Sequence, residues 1–141
     1  MPPQTTPSGP NPTGIEAYSP AEIALRIEEA GVGKARLGLV QITALSLLAG
    51  AFIAFGAAFY TVVMTGTDPG FGPARLLGGA AFSLGLILVV VGGAELFTGN
   101  NLMVMAWASG NISGRALLRA WALVYVGNLI GAAGTAATPG G

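Results

Sequence analysis

The sequence predicts an all-α integral membrane protein with three transmembrane segments, the second broken by a loop at the membrane midplane. Three observations carry this reading. Only 9% of the 141 residues are charged against 52% hydrophobic, and the mean hydropathy is +0.69, whereas a soluble domain of this size needs more charge on its surface. Charge is absent from residues 37–67, 76–94, 96–114 and 120–141. Uncharged apolar runs of about 18 residues or more mark helices that cross a hydrocarbon core roughly 30 Å thick. Lastly, the six basic residues divide unevenly once the segments are laid out, and that division selects the topology.

In chain order, residues 1–18 are rich in Pro, Gly, Thr and Ser with little to bury, the composition of a disordered tail on the cytoplasmic side. A helix starts at Ser19-Pro20-Ala21-Glu22. Ser19 caps it, Pro20 suits the first helical position and Glu22 returns the capping-box bond. Ile23, Ile27 and Ala30 share one face, giving a short amphipathic helix over 19–33 that stops near Gly31 or Gly33. It is expected to lie on the membrane surface or against a neighbouring subunit, with packing on its own chain as the simpler alternative. The membrane domain covers 34–138, followed by a short end at 139–141. Its first span, 37–64, carries small residues such as Gly50 and Gly56 that let helix backbones approach closely in lipid.

The stretch 76–109 decides the topology. As one straight helix it would be about 51 Å long at 1.5 Å per residue, well beyond the bilayer core. It must break or turn back, and the weak point is 92–101, Gly92-Gly93-Ala94-Glu95-Leu96-Phe97-Thr98-Gly99-Asn100-Asn101. A hairpin of two full spans puts three basic residues on each side. A single broken span puts Arg26, Lys34, Arg36, Arg115 and Arg119 together and leaves only Arg75 opposite. The positive-inside rule favours the broken span with a cytoplasmic N-terminus in the plasma (inner) membrane. The third span is then 117–137, with Gly127, Gly131 and Gly134 for close packing.

Composition also excludes functions. Zero net charge and few basic residues give no footprint for nucleic acid. Without cysteine or histidine, thiolate chemistry and the usual metal ligands are missing, so neither a metal nor a cofactor is expected and no enzymatic constellation is assembled. The first apolar run begins too late and runs too long for a signal-peptide core, so cleavage is not expected.

Irregular backbone at membrane depth is tolerated only where protein buries it or where it lines a watery cavity, so the break is a candidate substrate path. A half-helix from Asn101 to Ser109 would turn its free amides toward an anion in that cavity. Thr98 offers a hydroxyl, Phe82 and Leu86 an outer apolar constriction, and Leu96 and Phe97 an inner one. A four-residue spacing such as Phe82 to Leu86 serves helix packing as readily as a gate, and Thr98 also suits a local cap. Glu95 is costly in a membrane and is assigned to the loop, its carboxylate accepting bonds from loop amides. Gly99, Asn100 and Asn101 are read as loop-forming.

The runs Gly78-Gly79-Ala80-Ala81-Phe82-Ser83-Leu84-Gly85-Leu86 and Gly93-Ala94-Glu95-Leu96-Phe97-Thr98-Gly99-Asn100, with Ser109-Gly110-Asn111-Ile112 and Val124-Tyr125-Val126-Gly127-Asn128 farther on, resemble the signature of the formate/nitrite transporter family. The resemblance implies half of an aquaporin-like inverted repeat in a homopentamer of six-span subunits. Each subunit of the family carries its own pore for formate, nitrite, hydrosulfide or related monocarboxylates. It also implies that Phe82 and Leu86 line the outer and middle pore, that Leu96 and Phe97 form the inner constriction, and that Thr98 partners a histidine of the second half. The sequence contains the first half of that pattern and no histidine. The expected partners are small monovalent anions, the lipid bilayer, and either further copies of the chain or a complementary second half. The competing reading is a truncated, nonconducting membrane protein with an assembly or structural role. An aquaporin-type pore is weaker, because no Asn-Pro-Ala loop is present.

Overall fold

A computed structural model describes residues 18–68 and 70–138. The expectations for the tail before Tyr18 and for 139–141 lie outside the described residues. Six helices follow in order: α1 Pro20–Ala35, α2 Leu39–Met64, α3 Gly72–Val91, α4 Phe97–Asn100, α5 Met103–Ala108 and α6 Gly114–Ala137. Among the described residues there is no strand. Three helices, α2, α3 and α6, are long and apolar enough to cross a membrane, and the protein is a multi-pass, all-helical membrane protein.

The N-terminus of α1 is the capping box its sequence encodes. The Glu22 N–H donates to Ser19 Oγ at 3.3 Å, and the Ser19 N–H donates to Glu22 Oε2 at 2.8 Å. The Ser19 N–H on the carboxylate, followed by the Ser19 hydroxyl, holds the Glu22 carboxyl below its ordinary value of 4.5. The helix does not stop at Gly31 or Gly33 but runs on to Ala35. Gly31 is buried, and a Cβ there would lie 3.0 Å from the Cβ of Ala106 and 3.4 Å from the Cα of Met103, tighter than ordinary contact. Its glycine serves contact rather than termination, and α1 packs on α5 of its own chain.

Helix α2 is the centre of the membrane domain, with α3 on one side and α6 on the other. The α2–α3 contact is antiparallel: Phe52 meets Gly92, Gly56 meets Gly85, and Tyr60 and Met64 meet Gly78. A Cβ on Gly56 would lie 2.7 Å from the Phe82 carbonyl oxygen, and one on Gly85 would lie 2.7 Å from that of Phe52. The α2–α6 contact is parallel, climbing from Ile42 beside Leu117, Ala120 and Val124 to Ser46 beside Gly127 and Leu47 beside Gly131. Here Gly50, Gly127 and Gly131 bring two backbones into contact, and a Cβ on any of them would overlap the opposite helix. Gly134, expected to pack in the same way, has nothing within 4 Å of its would-be side chain.

Helix α3 starts at Gly72-Pro73, earlier than the predicted 76, because Pro73 suits a first helical turn. The break is also narrower than 92–101. Gly92 caps α3, Gly93 takes the left-handed conformation with φ +60°, and helix resumes at Phe97. Gly99 and Asn100 therefore belong to a helical turn, and Asn101 caps it in the αR region. The expected half-helix from Asn101 to Ser109 is reduced to α5, with α4 a separate turn before it. The chain does not reverse at the break: it returns to the α1 end, where Ser109 Oγ and Asn111 Nδ2 donate to the two carboxylate oxygens of Glu28.

Candidate functional site

The break rests against α2 between Leu45 and Phe52, where Glu95 N–H donates to the Leu45 carbonyl at 3.1 Å and Gly92 meets Phe52. With a rise of 1.5 Å per residue, Leu45 lies about 9 Å along α2 and Phe52 about 20 Å along a helix of roughly 39 Å. An irregular segment at that level needs partners for its peptide groups. Ala94 N–H reaches back to Val89 O at 3.0 Å, and the Glu95 peptide is held by α2 and by a side chain of α6.

That side chain is Asn128. Its Nδ2 donates to Ser46 O at 2.8 Å and to Glu95 O at 2.9 Å, while its Oδ1 accepts from Phe97 N–H at 2.8 Å. The reverse amide orientation would set an oxygen against two carbonyl oxygens, so the bonds themselves fix the assignment. The first amide of α4 is thereby bonded to protein, and the Asn101 and Leu102 amides, at the start of the expected half-helix, bond back to Phe97 O and Gly99 O.

Glu95 is buried, and its carboxylate is paired with Lys34 at the end of α1, both oxygens accepting from Nζ at 2.8 and 2.7 Å. The expected bonds from loop amides are absent among those described. An ammonium satisfies a buried carboxylate better than neutral amides do, because it also cancels the charge. The single lysine of the chain is thus brought to the break, although 61 residues separate the partners.

A groove of about 420 Å³ runs along the break, lined by Lys34, Leu86, Gly93, Glu95, Leu96 and Thr98 among others. Leu86, Leu96 and Thr98 therefore share one surface. Phe82, one turn before Leu86, is 40% exposed and lies outside the groove lining. Phe97 turns to α6, meeting Trp121 edge-on at 6.3 Å and Tyr125 at 5.5 Å between ring centroids. Gly99 lines the groove, Asn101 is exposed, and Asn100 is fully buried with neither side-chain amide atom bonded within the chain. The Asn100 carbonyl accepts from Trp121 Nε1 at 2.9 Å. Among the described residues, no group of three or more acidic side chains is placed to hold a metal.

Residues 21–139 match the formate/nitrite transporter family. The chain belongs to that family. Among formate/nitrite transporter relatives, it is 49% identical over 114 residues to the formate channel FocA of Escherichia coli K12, covering 80% of this chain and 40% of FocA. It is 44% identical over 115 residues to the uncharacterized transporter YrhG of Bacillus subtilis, covering 80% and 43%. To a probable formate transporter of Methanothermobacter thermautotrophicus it is 39% identical over 123 residues, covering 84% and 45%. The chain thus spans less than half the length of these formate/nitrite transporter relatives.

Two functional candidates escaped the sequence reading. Lys34 lay in a different segment from the break, and no local spacing connects them. Asn128 did carry a signal: an amide amid the apolar run of α6 must find partners inside a membrane, and its glycine neighbours bring α2 within reach.

Proposed function

We propose that this chain supplies the first half of a transmembrane pore for small monovalent anions, formate, nitrite or a close relative, with the break near the bilayer midplane and the N-terminus in the cytoplasm. The observation that carries the reading is the groove at the break, where the apolar Leu86 and Leu96 stand beside the exposed Thr98. Apolar walls strip water from an anion, and a hydroxyl donor offers one bond in return. Lys34 and Glu95 at the groove form a neutral pair, so the wall does not present a net negative charge to the anion. The groove is open on one side, and a complementary three-span half would close it, as expected of an inverted repeat whose site lies between its halves. Assembly as a homopentamer in the inner membrane follows from the same reading. The functional relatives support an anion as cargo, since FocA is a formate channel.

The test is flux in proteoliposomes containing the chain with and without a supplied second half. Formate or nitrite uptake is expected only with both halves. Thr98→Val should reduce it about tenfold, the worth of one hydrogen bond to a charged group. No anion movement by the complemented wild type, together with no effect of Thr98→Val, overturns the proposal.

A further inference from the structure

Leu96, between α3 and α4, has an extended backbone with φ −97° and ψ 135°, and it lines the groove. The C=O before it, on Glu95, and the N–H after it, on Phe97, both bond to the side-chain amide of Asn128. Those are the groups that a paired β-strand would engage across Leu96. The second Nδ2 hydrogen goes to Ser46 O on α2, so one side chain of α6 ties the break to both long helices. Its hydrogen-bonding capacity is largely spent there, with both donors and one acceptor position in use.

We propose that Asn128 is the positioning residue of the break: acting as a one-residue strand, it holds Leu96 extended and thereby sets how far Leu96 and Thr98 stand into the groove. Nothing in the local sequence 92–98 forces an extended Leu96, and Asn128 stands 31 residues from Phe97. The flanking close approach makes the clasp possible. Gly127 seats against Ser46 and Gly131 against Leu47, which brings the short Asn128 side chain within 2.8 Å of the Ser46 carbonyl. That Asn128 holds the segment stands on these bonds alone. That doing so governs selectivity rests on the functional reading above.

Hydrogen–deuterium exchange on the full chain in lipid nanodiscs separates the two statements. In Asn128→Leu, of similar volume and with no polar atom, Phe97 N–H exchange is expected to rise about tenfold, as for one lost hydrogen bond. The α2–α3 contact around Gly56 and Gly85 should keep its protection. In the complemented flux assay the same variant should lose about tenfold of its formate-over-acetate preference, the worth of one misfitted methyl group. Unchanged Phe97 exchange overturns the positioning role. Faster exchange with an unchanged preference overturns the link to selectivity. Faster exchange with no flux even in the wild type supports the clasp and sinks the functional reading instead. Should Asn128→Leu fail to give a helical, monodisperse protein, Asn128→Asp answers the question. It offers Phe97 an acceptor but sets its second oxygen against the Ser46 and Glu95 carbonyls, so the clasp opens, Phe97 exchange rises and the preference falls; unchanged exchange overturns the positioning role.

Discussion

At the scale of single residues, Lys34 and Glu95 form the one ion pair among the described residues. Glu95 is 8% exposed at its side chain and Lys34 28%, so the carboxylate depends on the ammonium far more than the ammonium depends on it. Removing one partner of a buried pair leaves an uncompensated charge, whereas removing both leaves only a packing question. Lys34→Met is therefore expected to cost about 3 kcal/mol, and Lys34→Met combined with Glu95→Leu to recover most of that loss. Equal losses for the single and double variants, measured by unfolding in detergent, would show that the two residues are not coupled. The sequence marks Glu95 as too costly for a bland position, and its carboxylate takes a lysine partner where loop amides are expected. The identity of its partner was not legible, because a contact spanning 61 residues leaves no trace in local spacing.

At the scale of elements, glycine placement separates helices that touch from helices that merely run nearby. A Cβ on Gly131 would overlap the backbone at Leu47, and backbone has no rotamer with which to yield. Gly131→Ala should thus destabilise the α2–α6 pair by about 2–3 kcal/mol through forced separation. Gly134→Ala, three residues on and facing open space, should be neutral or add up to about 1 kcal/mol from helix propensity. Thermal unfolding of both variants in the same detergent checks the contrast, and similar effects at the two positions would contradict the packing described. The sequence named Gly127, Gly131 and Gly134 as equals. Small-residue composition cannot say which side of a helix faces a neighbour, since that depends on the rotation of α6 against α2. The same limit applied at Gly31: a glycine that ends a helix and a glycine that admits a neighbouring side chain look alike until the neighbour is known.

At the scale of the whole molecule, the direction of each helix follows from the contacts, with α3 antiparallel to α2 and α6 parallel to it. Helix α5 then returns the chain to α1, so Arg26, Lys34, Arg36, Arg115 and Arg119 gather at one end and Arg75 at the other, the arrangement that the unequal distribution of basic residues predicted. Because the chain has no cysteine, single cysteines report sidedness without background. Thr67→Cys should react with an impermeant thiol reagent from the face opposite to Ser113→Cys in sealed vesicles. Labelling of both from one face would contradict the three-crossing path. Many large apolar side chains on α3 and α6, among them Leu76, Val90, Val91, Leu118 and Leu129, remain exposed, as befits surfaces that meet lipid or other protein rather than water.

Sequence alone determined that the protein lives in a membrane, how many long apolar segments it has, and that the second must fail as a straight helix. Those properties are local sums over hydropathy, charge and length, and local sums survive without coordinates. Tertiary structure decided the rest: the confinement of the break to five residues, the capture of Glu95 by Lys34, the turning of Phe97 toward α6, and the clasp of Asn128 around Leu96. Each depends on which faces of distant helices meet, a matter settled when glycine-lined backbones lock together and not before.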